Sequence, residues 1–198
     1  MRLRTTAILA TAAAAATSIL LLAGCGGSAS EASSSTATST TAIRKFGGSR
    51  FARDSVAYCY PKCRGVRAIG ADLTGADLTG ADLIGANLSG ADFERAKLTG
   101  ASLDFANLWR AGFTGVDLTG VHFAGADLIG ANLTDANLTS AYLVRADLTR
   151  AKLNGADLSG ALLMSANLTG ADLSGADLFG ATWKNTTCPD GTVTNTGC

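Results

Sequence analysis

The sequence holds one histidine, two prolines and 6% aromatic residues in 198 positions, and its formal net charge is zero. A single imidazole, His122, excludes histidine-based triads and multi-histidine metal sites. No Walker or dinucleotide-type glycine motif is present, despite 24 glycines. The apolar run Ala7–Ala23 is a little shorter than the roughly 20 residues of a membrane-spanning helix. No reaction chemistry and no cofactor are therefore expected, and the abundance of Ala, Leu, Gly and Asp has to be explained another way.

Those residues recur with a period of five, as in GADLTGADLTGADLIGANLSGAD over residues 70–92. On a helix, five steps of about 100° would advance each leucine by about 140° and spiral it around the axis. On one flat strand an odd period throws successive leucines onto opposite faces. The backbone must therefore turn within each unit. Residues 71–180 contain 22 units without insertion or deletion, so no long loop is left to house an active site. The central position is Leu in 19 and Phe in three (Phe93, Phe113, Phe123), and two residues earlier stands Ala, except at Val116 and Val121. Residues two apart on a short strand point the same way, here inward. The unit ends in Gly in 14 cases, which suits a tight corner.

Tandem A(D/N)LXX units resemble the pentapeptide-repeat family. The resemblance implies an all-β fold, a right-handed quadrilateral β-helix with four repeats per coil. Over residues 71–185 this gives about five and a half coils, roughly 26 Å at the 4.8 Å spacing between strands. Residues 20 apart become vertical neighbours. Trp183, in phase, is placed to close the last coil, and residues 44–70 and 186–198 to form the two caps.

The N-terminus reads as an export signal: Arg2 and Arg4, then the apolar run, ending in Leu22-Ala23-Gly24-Cys25. That ending resembles the lipobox of bacterial lipoproteins. It implies removal of residues 1–24, a lipid on Cys25, and a position at the extracytoplasmic face of the cell membrane. Residues 25–43 form a Ser/Thr/Ala linker too polar to order itself, reaching roughly 24 Å as a flexible coil.

Export permits disulfides, and four cysteines remain besides Cys25. Of three pairings, Cys59–Cys63 with Cys188–Cys198 is expected, because the pairs sit at opposite ends of the solenoid. A four-thiolate zinc site would need the same fold-back as cross-pairing.

Charge is unevenly spread. Residues 71–180 carry 13 acidic and six basic side chains, 6 − 13 = −7, whereas residues 44–67 carry seven basic and one acidic, 7 − 1 = +6. The basic flank is a candidate contact for anionic lipid headgroups or for the acidic solenoid. Acidic members of the resembled family inhibit or protect DNA gyrase by imitating duplex DNA. A duplex of this length carries roughly 15 charges, twice this number, and an exported protein does not meet gyrase, so a nucleic-acid-like role is the alternative reading. Stacking also pairs Asp72 with Asp92, Asp127 with Asp147 and Asp157 with Asp177 near the spacing of retaining-glycosidase carboxylates. The repeat's preference for Asp produces such pairs without catalysis. A hydroxyl ladder, Thr79, Thr99, Thr119, Thr139 and Ser159, raises a third reading, a water-ordering surface.

Sorting outward positions by face singles out one. After the central residue it reads Ile84, Asp104, Ala124, Val144, Met164, four apolar of five, against three of 17 (Trp109, Ile129, Phe179) on the other faces. Before the centre it carries His122, Tyr142 and Leu162, where other faces carry Asp, Asn, Lys or Gly. The patch, on the order of a few hundred Å², is of the size that marks contact sites. The sequence thus predicts a membrane-tethered interaction or structural module without enzymatic activity, whose interface, centred on Tyr142, Val144, Leu162 and Met164, meets a protein partner or a second copy.

Overall fold

The computed structural model describes residues 59–198. Within them the chain winds as a right-handed quadrilateral β-helix. Single-residue parallel bridges join the residue before the pentad centre to the one 20 further on, from Lys62↔Asp82 to Asn167↔Thr187 and at every pentad between them but one, so each coil is four pentads. Face 1 holds the pentad centred on Leu73 and those stacked above it, face 2 that of Leu78, face 3 that of Leu83 and face 4 that of Leu88.

One unit explains the rest. Asp127 N–H donates to Ala106 O of the coil below (2.9 Å), while Leu128 and Gly130 N–H donate to Asp147 and Thr149 carbonyls of the coil above (2.8 and 2.9 Å). Ala131 N–H then closes a turn onto Leu128 O (2.9 Å) with Gly130 at its third position, φ 65°. A positive φ there is what a type II turn demands. Five residues thus supply three ladder bonds and one corner, which is why the period is five.

Inside, the Leu and Phe ladders and the Ala columns are buried throughout residues 71–168. Phe93 stacks on Phe113 at 4.6 Å between ring centroids, and Phe113 meets Phe123 edge-on at 6.1 Å. The coils run further than the repeat pattern suggests. Pro61–Gly65 and Val66–Gly70 form two earlier units, with Cys63 and Ala68 in the buried central positions. At the other end residues 186–190 stay in phase, with Cys188 at the centre. Residues 61–190 therefore make six and a half coils, about 31 Å of solenoid, one coil more than expected. Small central side chains hid the extra units.

The ends are closed by disulfides. Cys59 is bonded to Cys63, and Tyr60 Oη donates to Thr79 O (2.7 Å). Cys188 is bonded to Cys198 across a hairpin of β1 (Thr186–Thr187) and β2 (Val193–Thr194). Trp183 is buried in the last coil and would touch any side chain placed at Gly197, while the fully buried Thr186 hydroxyl donates to Leu163 O (2.7 Å). The hairpin leaves Leu173, Ala176 and Leu178 only partly buried and Phe179 exposed.

Eight of the 22 units end in a residue other than Gly, yet keep φ between 54° and 60°. Several of these side chains lie over a glycine in the next coil: Phe105 over Gly125, Arg110 over Gly130, Asp135 over Gly155, Arg150 over Gly170. A Cβ at Gly120 would meet nothing within 4 Å, whereas one at Gly125 would lie 2.8 Å from the Phe105 ring. Gly120→Ala is thus expected to lose only the left-handed backbone cost, about 1–2 kcal/mol. Gly125→Ala should lose more, since Phe105 must also move. Urea midpoints check the order; a neutral Gly120→Ala or the reverse ranking would contradict it.

Candidate protein-interaction face

The residue before each centre decides what a face presents. Where it is Asp or Asn, its Oδ1 accepts the N–H two residues on: Thr74 N–H to Asp72 (3.1 Å), Ser89 to Asn87 (3.3 Å), Ile129 to Asp127 (3.1 Å), Phe179 to Asp177 (2.9 Å). Such Asx turns hold an outward backbone donor that the coil leaves over. The preference for Asp and Asn is therefore a backbone device. It accounts for the stacked carboxylates, because Asp72, Asp92, Asp127, Asp147, Asp157 and Asp177 all serve this way.

The bonds also move proton affinities. The Ser159 hydroxyl, then its N–H, hold the Asp157 carboxyl below its ordinary value, with Thr139 adding to the effect. The Ser174 hydroxyl and N–H do the same for Asp172, and those of Thr192 for Asp190. A carboxyl depressed in the folded state contributes stability that is present above its unfolded pKa, about 3.9, and lost as pH falls through the folded value. Asparagine offers the same acceptor without a proton, as Asn137 does for Thr139 N–H (3.0 Å). The triple variant Asp157→Asn, Asp172→Asn, Asp190→Asn should lose less stability than the parent between pH 7 and pH 3. Parallel urea-midpoint profiles would contradict this.

Face 3 abandons the device. Above Asp82 its bridging column runs Ser102, His122, Tyr142, Leu162, Thr182. The donors two residues on lose their Asx partner, each such bond being worth about 0.5–1.5 kcal/mol. Only Ala124 N–H is rescued, by Asp104 Oδ1 of the coil below (2.7 Å). That is the role of the one charged residue among Ile84, Ala124, Val144 and Met164. His122 stacks on Tyr142 at 4.4 Å between ring centroids, and Tyr142 is 42% exposed. Leu162, Val144 and Met164 are half-buried beside them, and Ile84, also half-buried, lies on the same face two coils below His122. Below, the stripe ends at an Arg64–Asp82 ion pair (Nε to Oδ2 2.5 Å), and above at Thr182 and Lys184, both exposed. Face 3 thus brings together all six residues predicted for the interface. Phe105 on the neighbouring corner, 70% exposed, was not among them.

Charge lies elsewhere. Faces 1 and 2 with their shared corner hold nine acidic and three basic side chains, a net of −6 out of the −7 of residues 71–180. On face 2 the Thr119 and Thr139 hydroxyls donate to Asp117 and Asn137 Oδ1 (2.6 Å each), and Thr139 also reaches Asp157 Oδ2 of the coil above (3.2 Å), so these rungs of the hydroxyl ladder are engaged by neighbouring side chains. A notch of about 370 Å³ opens on face 1 where Gly112 interrupts the outward column, lined by Asp92, Glu94, Arg110 and Asn132. Among the described residues, no group of three or more His, Cys, Asp or Glu is placed to hold a metal. Cys25, the linker and residues 44–58 of the basic flank lie outside the described residues.

Residues 62–100, 101–139 and 141–180, together more than half of the chain, match the family described as pentapeptide repeats, in eight copies. The chain belongs to the pentapeptide-repeat family. Among solved structures of pentapeptide-repeat proteins, HetL of the cyanobacterium Nostoc sp., involved in heterocyst differentiation regulation, is 36% identical over 67% of this chain and 72% of its own, TM-score 0.45. QnrB1, a plasmid-mediated fluoroquinolone resistance protein, is 27% identical over 58% of this chain and 56% of its own, TM-score 0.48. A pentapeptide-repeat protein of the Arabidopsis thaliana thylakoid lumen is 29% identical over 53% and 66%, TM-score 0.33. No curated protein matches this pentapeptide-repeat chain.

Proposed function

We infer that this pentapeptide-repeat protein is a non-enzymatic interaction module, held at the extracytoplasmic face of a bacterial membrane by a lipid on Cys25. The observation that carries the interaction reading is face 3, where consecutive Asx turns give way to His122, Tyr142 and Leu162 beside Val144 and Met164. Local rules broken without a structural gain are expected where a surface serves a function. The polar ends of the stripe match the apolar-centre, polar-rim layout of protein interfaces. The lipobox-like Leu22-Ala23-Gly24-Cys25, the polar linker and two end disulfides support the location.

Val144→Asp with Met164→Asp would bury carboxylates without partners at the centre of such an interface. Association with a second copy, read by analytical ultracentrifugation, or with a partner captured from envelope extracts should fall more than about tenfold. The circular-dichroism β signal should stay intact, since neither side chain enters the core. A monomeric parent that captures nothing, and that both substitutions leave unchanged, would remove the reading. A gyrase-directed role is the competing reading, on the acidity of faces 1 and 2, and it requires a cytosolic protein.

A further inference from the structure

The ladder is continuous except in one place. Twenty-one of the 22 bridges expected between Lys62 and Thr187 are present, and the missing one is Lys97↔Asp117 on face 2. Four consecutive backbone hydrogen bonds are absent with it. Arg95, Leu98 and Gly100 N–H do not reach Thr114, Asp117 and Thr119 O, nor does Asp117 N–H reach Ala96 O. Among the described residues every other rung of this type is made, including those of the same two coils on face 1 (Phe93 N to Gly112 O, 2.8 Å), face 3 (Leu103 N to His122 O, 2.8 Å) and face 4 (Leu108 N to Asp127 O, 2.7 Å).

The cause lies in the core. The inward column of face 2 is Ala76, Ala96, Val116, Ala136, Ala156, so Val116 puts two extra methyl groups where every other coil has one methyl. Val121 does the same in the adjacent column of face 3, where the next rung, His122 N–H to Ala101 O, is stretched to 3.3 Å. Extra methylenes in a packed core are relieved by backbone shifts. Here the coil lifts from the one below while its rungs to the coil above hold, as at Leu118 N to Asn137 O (2.7 Å). Ala96, directly beneath Val116, is 6% exposed where the other inward alanines of residues 71–166 are at 0–1%. Lys97 in place of Asp or Asn is not the cause, because Lys152 keeps both its bridges.

We propose that this seam is a built-in opening point, at which the two coils part on face 2 and admit water in solution. It separates the N-terminal coils of the described residues from those carrying His122, Tyr142, Val144, Leu162 and Met164. The seam itself does not depend on what that face binds.

Site-resolved hydrogen exchange on the full mature chain tests it. The amides of Leu98, Gly100 and Asp117 should exchange on the order of 100-fold faster than Leu118, Gly120 and Asn137, their counterparts one coil higher. Equal protection at the two levels would overturn the proposal. Val116→Ala should let the coil settle and slow the three seam amides at least about tenfold, leaving Leu118 unchanged. Fast exchange that persists in Val116→Ala would overturn the valine wedge as its origin.

Discussion

Truncating Leu128 to alanine is expected to cost about 2–5 kcal/mol, the range for a fully buried leucine that loses its contacts and leaves a cavity. Leu128 is 0% exposed, lies mid-solenoid on face 4 between Leu108 and Leu148, and its own N–H and C=O both make ladder or turn bonds. Coils contact only their neighbours, and the backbone around the gap is fixed by rungs above and below, so the site has little freedom to collapse. An exposed substitution such as Thr169→Ala, away from the core, should stay within about 0.5 kcal/mol, or slightly beyond through the Thr169 hydroxyl bond to Asn167. Urea unfolding of both variants measures the difference. A broadened or split transition in Leu128→Ala would fit the near-independence of stacked repeats. A loss below about 1 kcal/mol would mean that the Leu ladder is not what holds the coils together.

Much of the coil was legible because a strict period with apolar residues at fixed offsets leaves few ways to bury them. Four faces, inward Leu and Ala, and local cysteine pairs at the two ends follow from that pattern. The units at Pro61–Gly65 and Val66–Gly70 were not legible, since Cys63 and Ala68 are too small to look like core. The hold of Asp and Asn on the following N–H was hidden as well, because a preference for Asp reads equally as charge. Asp104 looked like an interruption of the apolar column, and its bond to Ala124 N–H needs the coil stacking to be seen. The seam could not be read from Val116 alone, as Val121 in the same coil leaves its ladder joined. Pattern fixes which way a side chain points, whereas the height it occupies between coils depends on its neighbours above and below.

The largest effect expected of any single substitution is on location. Cys25 follows a short basic start, an uncharged apolar run and Leu22-Ala23-Gly24, the setting from which the lipid attachment is proposed. A single acyl chain binds membranes only marginally, so stable retention implies more than one chain or help from the basic flank. Cys25→Ala removes the thiol proposed to carry the lipid and leaves residues 59–198 untouched, so folding and face 3 should be unaffected. The decisive measurement is fatty-acid labelling with membrane fractionation in a bacterial host, parent beside Cys25→Ala. The parent should take up label and sediment with the membranes, and the variant should do neither. An unlabelled parent in the cytosolic fraction would contradict a lipid-anchored, extracytoplasmic protein.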